Sequence, residues 1–191
     1  MLAADFDLSQ YPAVEGFLLT AEKQGSDYQL SLRDRSNPDA MLHWFDLLTT
    51  PQTVSIEGSV GDDSLWIDFS NVITVDAEGN FNDFIPTSIR FTGLGGIDEV
   101  EFTGRTAVTG NVIVDAETII VGAGTHVAAG EELRLVAAAD LGTLDLTGVE
   151  VAQSGSMVAS VTISGDLSAT EVVVQATTGG SVISTGSTFT G

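Results

Sequence analysis

From about Thr53 onward, apolar residues fall on alternate positions in short runs. Val54 and Ile56, then Leu65, Ile67 and Phe69, then Ile89 and Phe91, then Val100 and Phe102 each keep one parity, with polar neighbours between them. A period of two sends every second side chain to one face of a strand. These runs therefore predict half-buried β-strands facing one core, with Trp66, Asp68 and Glu101 outside. Beyond Ala107 the runs shorten and become β-branched: Val112-Ile113-Val114, Thr118-Ile119-Ile120-Val121, Leu133-Arg134-Leu135-Val136, Val161-Thr162-Ile163, Val172-Val173-Val174 and Ser181-Val182-Ile183. Small or polar residues separate them, no proline follows Pro86, and no helical period is present. Strands so short and evenly spaced suit the successive faces of a parallel solenoid. The alternative is an antiparallel β-sandwich, which needs hairpin turns such as Asn-Gly that this stretch lacks.

The first fifty residues have a different texture. Phe17-Leu18-Leu19-Thr20-Ala21, a Gln24-Gly25-Ser26-Asp27 turn and Tyr28-Gln29-Leu30-Ser31-Leu32-Arg33 read as a hairpin. Asn37-Pro38-Asp39 predicts a turn, and Met41 to Leu48 reads as a strand or a short helix. Both tyrosines, one of the two tryptophans and three of the six basic residues lie here. The expectation is a β-rich cap or lead-in over residues 1–50 and a solenoid body over 51–191. Residues 71–87 interrupt that body with Asp76-Ala77-Glu78-Gly79-Asn80 and Asn82-Asp83, a longer loop or small excursion.

Composition narrows the function classes. A chain of 191 residues with 43% hydrophobic positions and a mean hydropathy of +0.25 can bury a core, despite a net charge of -21. Only Lys23, Arg33, Arg35, Arg90, Arg105 and Arg134 are basic, and none follows Arg134. An electropositive groove for nucleic acid is thereby excluded. The acidity serves solubility or divalent-cation binding. Without cysteine there are no disulfides, thiolate nucleophiles or zinc–thiolate sites. No stretch is apolar for the length of a membrane span, so membrane insertion is not expected. Met1-Leu2-Ala3-Ala4-Asp5 lacks the basic start of a signal peptide. The closing Ser184-Thr185-Gly186-Ser187-Thr188-Phe189-Thr190-Gly191 keeps the repeating rhythm, as a segment of a longer protein would.

Two turns carry the candidate chemistry. Gly58-Ser59-Val60-Gly61-Asp62-Asp63-Ser64-Leu65 and Gly93-Leu94-Gly95-Gly96-Ile97-Asp98-Glu99-Val100 share the pattern G-x-x-G-x-D-x-apolar, 35 positions apart. This is a degenerate form of the Gly/Asp nonapeptide that winds parallel β-rolls and binds Ca²⁺. Asp63 and Asp98 are the candidate Ca²⁺ ligands, with Asp62 and Glu99 beside them. Calcium takes six to eight oxygens, so the two turns would have to stack to share an ion. They stack if one rung spans about 35 residues and stand about two rungs apart if it spans 18–22. The competing reading is a Gly-rich corner whose carboxylates cap the turn.

No catalytic constellation emerges, and the chain is not expected to be an enzyme. His43 sits beside Trp44 and Phe45 and reads as a packing residue. His126 lies in a turn with no acid or histidine at ligand spacing near it. The many carboxylates lie in turns without the lysines or arginines of a lyase site. Gly93-Leu94-Gly95-Gly96 is followed by no helix and is no dinucleotide loop.

Residues 54–104, with the first turn, Leu65-Trp66-Ile67-Asp68-Phe69-Ser70 and the second turn running to Glu101-Phe102-Thr103-Gly104, resemble a recurrent unit of giant bacterial adhesin-type proteins. These are the RTX and haemagglutinin-like surface or secreted exoproteins. Asp115-Ala116-Glu117-Thr118-Ile119-Ile120-Val121 and Leu133-Arg134-Leu135-Val136-Ala137-Ala138-Ala139 extend the likeness to about three quarters of the chain. The pattern departs from the nonapeptide at Ser59 and Leu94, which replace its second glycine, and the copies are not in tandem. The resemblance implies an extracellular or cell-surface right-handed β-helix with structural or adhesive work and no catalytic residues. Self-association, filament formation and a glycan or cell-surface ligand are the partners to expect, with a Ca²⁺-dependent binding module as the alternative.

Overall fold

The computed structural model describes residues 4–47, 52–77, 80–138, 159–177, 181–185 and 189–190. Residues 1–3, Leu48, Glu78 and Gly79 of the predicted excursion, Ala139, and residues 186–188 and 191 of the closing tract lie outside that set. Strand β1 (Ala4–Asp7) leads through a short 3-10 turn (Leu8–Gln10) to β2 (Phe17–Gln24), β3 (Asp27–Asp34) and β4 (Asn37–Leu47). Then follow β5 (Gln52–Glu57), β6 (Ser64–Asp68), β7 (Thr87–Thr92), β8 (Glu99–Phe102) and β9 (Arg105–Val108). Next come β10 (Val112–Ala116), β11 (Thr118–Val121), β12 (His126–Ala129) and β13 (Glu132–Ala137). The last described strands are β14 (Ser160–Ile163), β15 (Asp166–Ser168), β16 (Glu171–Ala176), β17 (Ser181–Ser184) and β18 (Phe189–Thr190). No α-helix occurs among the described residues.

Three sheets collect these strands. The first runs β1-β5-β7-β10-β13-β16, the second β17-β14-β11-β8-β6-β2-β3-β4 and the third β18-β15-β12-β9. From β7 onward the chain visits first, second and third sheet in turn and then begins again. Among the described strand pairs only β2–β3 and β3–β4 are antiparallel. The result is all-β, mostly parallel and stacked in register, as in a solenoid-like arrangement; the hairpin-built antiparallel sandwich does not describe it.

Register follows from the alternating pattern. Val54, Ile89, Val112, Leu133 and Val172 stand opposite one another along the first sheet. Phe17, Leu65, Val100, Ile119 and Val161 do so along the second. Nearly all these side chains are fully buried. Fully burying one such side chain is worth about 1.5–3 kcal/mol, and a one-residue slip would turn a whole strand's apolar set to water. The core is thus a stack of apolar files, each residue covered by its counterpart on the next strand.

The predicted hairpin forms as β2–β3, with Gly25 at a φ of 67° in its turn. The segment from Met41 is strand. The turn expected at Asn37-Pro38-Asp39 lies instead at Arg35 and Ser36. There the Asp34 carboxylate accepts from the Ser36 amide at 2.8 Å, a local Asx turn that the proline had masked. Pro38 falls in edge strand β4, where a missing N–H is tolerated. The meander packs against the first strand and the excursion. His43 meets Phe6 edge-on with centroids 5.3 Å apart, and the Tyr11 hydroxyl donates to the Leu42 carbonyl. The Tyr28 hydroxyl and the Lys23 ammonium both bond to Asp83 of the excursion.

Candidate functional site

The two glycine-and-acid turns connect β5 to β6 and β7 to β8, and they stack directly. Ser64 pairs with Glu99, and the Asp63 amide donates to Asp98 Oδ1 at 3.1 Å across 35 positions. Here the long-rung reading holds, because the excursion at 71–86 lengthens this circuit to 35 positions. The next circuit is shorter, with offsets of 19 positions from Glu99 to Thr118 and 21 from Val112 to Leu133, and the one after is long again, with Glu132 opposite Glu171 and His126 opposite Asp166.

Several residues of the shared pattern have a local job in the turns. The Ser59 amide donates to Asp63 Oδ2, closing the first turn on itself. The Ile97 amide donates to Asp62 Oδ1 at 2.8 Å, tying the second turn to the first. A Cβ on Gly93 would overlap the Asp98 carboxylate. Gly96 has a φ of 91°, and a Cβ there would fall 2.5 Å from the Gly61 carbonyl carbon. The glycines therefore leave space for a carboxylate and for the neighbouring turn's backbone.

A third acid completes the corner. Glu117 precedes β11 as Asp98 precedes β8 and Asp63 precedes β6, and Glu117 Oε2 accepts from the Asp98 amide at 2.9 Å. Asp63, Asp98 and Glu117 are all buried. Glu117 lacks the glycine context and was invisible as a turn motif; its 19-position offset from Asp98, just before the Thr118 run, is the signal that finds it. Burial pushes the Asp98 carboxyl up to about 7, with the negative charges of Glu117, Asp63 and Asp62 adding to the shift and the Asp63 amide opposing it. Its second oxygen, Oδ2, is buried without a hydrogen-bond partner.

Of the four residues selected for calcium, Asp62, Asp63 and Asp98 are brought together and engaged by backbone amides. Glu99 lies on the opposite face of β8 from buried Val100, partly exposed. Among the described residues no group of three or more His, Asp or Glu side chains is arranged to hold a metal ion. Exposed Val60, Leu94 and Ile97 crown the two turns. Beside them Ser55, Ile56, Glu57, Arg90, Thr92 and Leu94 line a groove of about 300 Å³.

The outer faces also depart from the simple in-or-out expectation. Trp66 is only partly exposed: its indole N–H donates to Glu101 on the next strand, and the Arg35 guanidinium lies 3.2 Å from its ring centroid. His126 does have an acid partner. Its Nδ1 lies 3.2 Å from Asp166 Oδ2, because β12 and β15 pair with His126 opposite Asp166. That pairing spans 40 positions, beyond the reach of a local spacing rule.

Comparison with protein-family models, curated proteins and solved structures finds no match to this chain. No helix among the described residues is long and apolar enough to cross a membrane.

Proposed function

We propose that the chain is a right-handed parallel β-solenoid segment of a large bacterial surface or secreted protein, with structural and adhesive work outside the cell. Residues 1–50 serve as the N-terminal cap and 51–191 as the body. The observation that supports this reading best is the in-register parallel stacking of successive circuits on three sheets around continuous apolar files. Such a stack resists bending because every interior strand is bonded on both sides, and a stiff spacer needs little else. Adhesion would use the outer faces and corners, where Trp44, Met41, Val60, Leu94 and Ile97 stand exposed among acidic groups. Unpaired sheet edges are natural points for self-association into filaments. Antibody raised against the purified chain should label intact source cells or their culture medium. Signal confined to lysed cells would reject the extracellular assignment.

The second reading is a Ca²⁺-dependent binding module, favoured by the unpartnered Oδ2 of Asp98 close to Asp62, Asp63 and Glu117. Melting curves in EDTA and in excess Ca²⁺ separate the two. A marked rise in Tm with Ca²⁺, lost in Asp98→Asn, would favour the calcium module, and coincident curves the passive segment.

A further inference from the structure

Arg105 is the basic residue left over. Lys23 pairs with Asp83, Arg33 with Glu22 and Arg134 with Glu132, Arg35 stacks on Trp66, and Arg90 bonds to Thr92. Arg35 and Arg90 also lack a carboxylate partner, but each side chain has another contact; among the described residues that of Arg105 has none of these kinds. Its Nε is buried. The residue as a whole is partly exposed, so its outer N–H groups face solvent, while a buried donor such as this Nε is satisfied in nearly every folded protein.

Its surroundings are built, not incidental. Arg105 opens β9, His126 opens β12 and Asp166 opens β15, and the three stand opposite one another in register. Their inner neighbours Thr106, Val127 and Leu167 are buried, so all three project from the outer face of the third sheet. Adjacent strands place such side chains about 4.8 Å apart. Asp166 engages His126 Nδ1, which orients the ring and leaves Nε2 for another contact. The Phe81 ring stands edge-on to His126, centroids 6.5 Å apart. Phe81 belongs to the excursion that leaves beside Arg105, where the Arg105 amide bonds to Ser70 Oγ at 2.9 Å, and returns at Ile85 opposite Val108 of the same strand.

We propose that Arg105 and His126, backed by Asp166 and walled by Phe81, bind the carboxylate of an acidic sugar. A guanidinium presents paired N–H donors that match a carboxylate's two oxygens, and the imidazole, in its protonated form, adds an Nε2–H donor beside it. The phenyl ring supplies an apolar wall for the C–H face of the sugar, which a bare anion would not use. The overall negative charge weakens approach from a distance, but at physiological salt that field is screened within roughly 8 Å, and the local donors decide. The site stands on these contacts alone and is independent of where the protein resides.

The test is an NMR titration of the intact chain with sodium galacturonate, sodium acetate and galactose at constant ionic strength, read at the Arg105 Nε–H and the His126 ring. Galacturonate should give saturable shifts at both residues, at least tenfold tighter than acetate, and galactose should give none. Arg105→Gln should abolish saturation, and Arg105→Lys should weaken it by losing the paired donors. Linear shifts with galacturonate, or unchanged saturation in Arg105→Gln, would overturn the site. Equal affinity for acetate would overturn its assignment to a sugar acid. The parent titration needs no variant to fold, so a misfolded mutant leaves the decision intact.

Discussion

The backbone amide of Asp63 donates to the side chain of Asp98, which lies 35 positions later and one strand over. The Asp98 amide in turn donates to Glu117. Each buried acid thus holds the turn of the preceding circuit, and the column joins three circuits at one corner. The first aspartate of the repeat works differently, accepting from the Ser59 amide in its own turn, and in both turns a side-chain carboxyl oxygen takes up an amide that the turn removes from the ladder.

The acid column makes stability depend on pH. Asp98 holds its proton up to about 7 when folded, whereas the unfolded side chain releases it near 3.8. Between those values the folded state binds a proton the unfolded state has lost, so stability falls as pH rises through this window and levels above about 7. Asp98→Asn removes the buried charge and keeps the Oδ1 acceptor. Relative to the parent, the variant should melt progressively higher as pH rises from 4 to 7. A constant difference in Tm across that range would contradict the assignment.

Glycine substitutions at the corner should separate two causes of strain. Gly96→Ala combines a left-handed φ of 91° with collision against the Gly61 carbonyl. Gly124→Ala has a φ of 74° but open space around the new Cβ. The backbone cost alone is about 1–2 kcal/mol, so Gly124→Ala should lose about that much and Gly96→Ala distinctly more. Urea unfolding measures both; equal losses would mean that the stacked turns can part to admit a methyl group.

How much of this was legible in the sequence depends on side-chain size. The apolar files of the first and second sheets were readable because Val54, Leu65, Ile89 and Val100 alternate strictly with polar neighbours. The third sheet was not. Its strands are Arg105-Thr106-Ala107-Val108, His126-Val127-Ala128-Ala129 and Asp166-Leu167-Ser168, too short and too rich in small residues to show a period. The stacking of the two acidic turns depended on circuit length, which varies from 19–23 positions between β7–β9 and β10–β12 to 39–42 between β11–β13 and β14–β16 and does not show in local spacing. Long-range partners such as Asp166 for His126 are fixed by strand register, which local spacing does not encode.

The bond between the meander and the excursion should weaken in acid. Asp83 is held below its ordinary range, chiefly by the Tyr28 hydroxyl and further by Lys23. A depressed carboxyl contributes stability above 3.8 and loses it as pH falls through its folded value. Tyr28→Phe removes the main cause and should cost about 1 kcal/mol near neutrality, with the deficit shrinking below pH 3. Lys23→Ala should cost less, because its ion pair with Asp83 is exposed to water. Denaturant melts at pH 7 and pH 2.5 compare the two variants; a deficit for Tyr28→Phe that grows in acid would reverse the argument.

Thr106 invites a stabilising substitution. It points into the core of the third sheet, opposite Val127, and its hydroxyl oxygen is buried with no hydrogen-bond partner. Valine has nearly the same shape and the same preference for extended backbone, so Thr106→Val exchanges an unsatisfied hydroxyl for a methyl group without opening a cavity. Removing a buried polar group that makes no bond recovers its desolvation cost, about 1–3 kcal/mol, and adds apolar contact along the file to Val127 and Leu167. Thr106→Val should therefore raise Tm, whereas Val127→Thr, which creates the same defect one strand away, should lower it. A fall in Tm for Thr106→Val would mean that the hydroxyl is satisfied in solution, and the buried file would then be polar at this level by design of the fold.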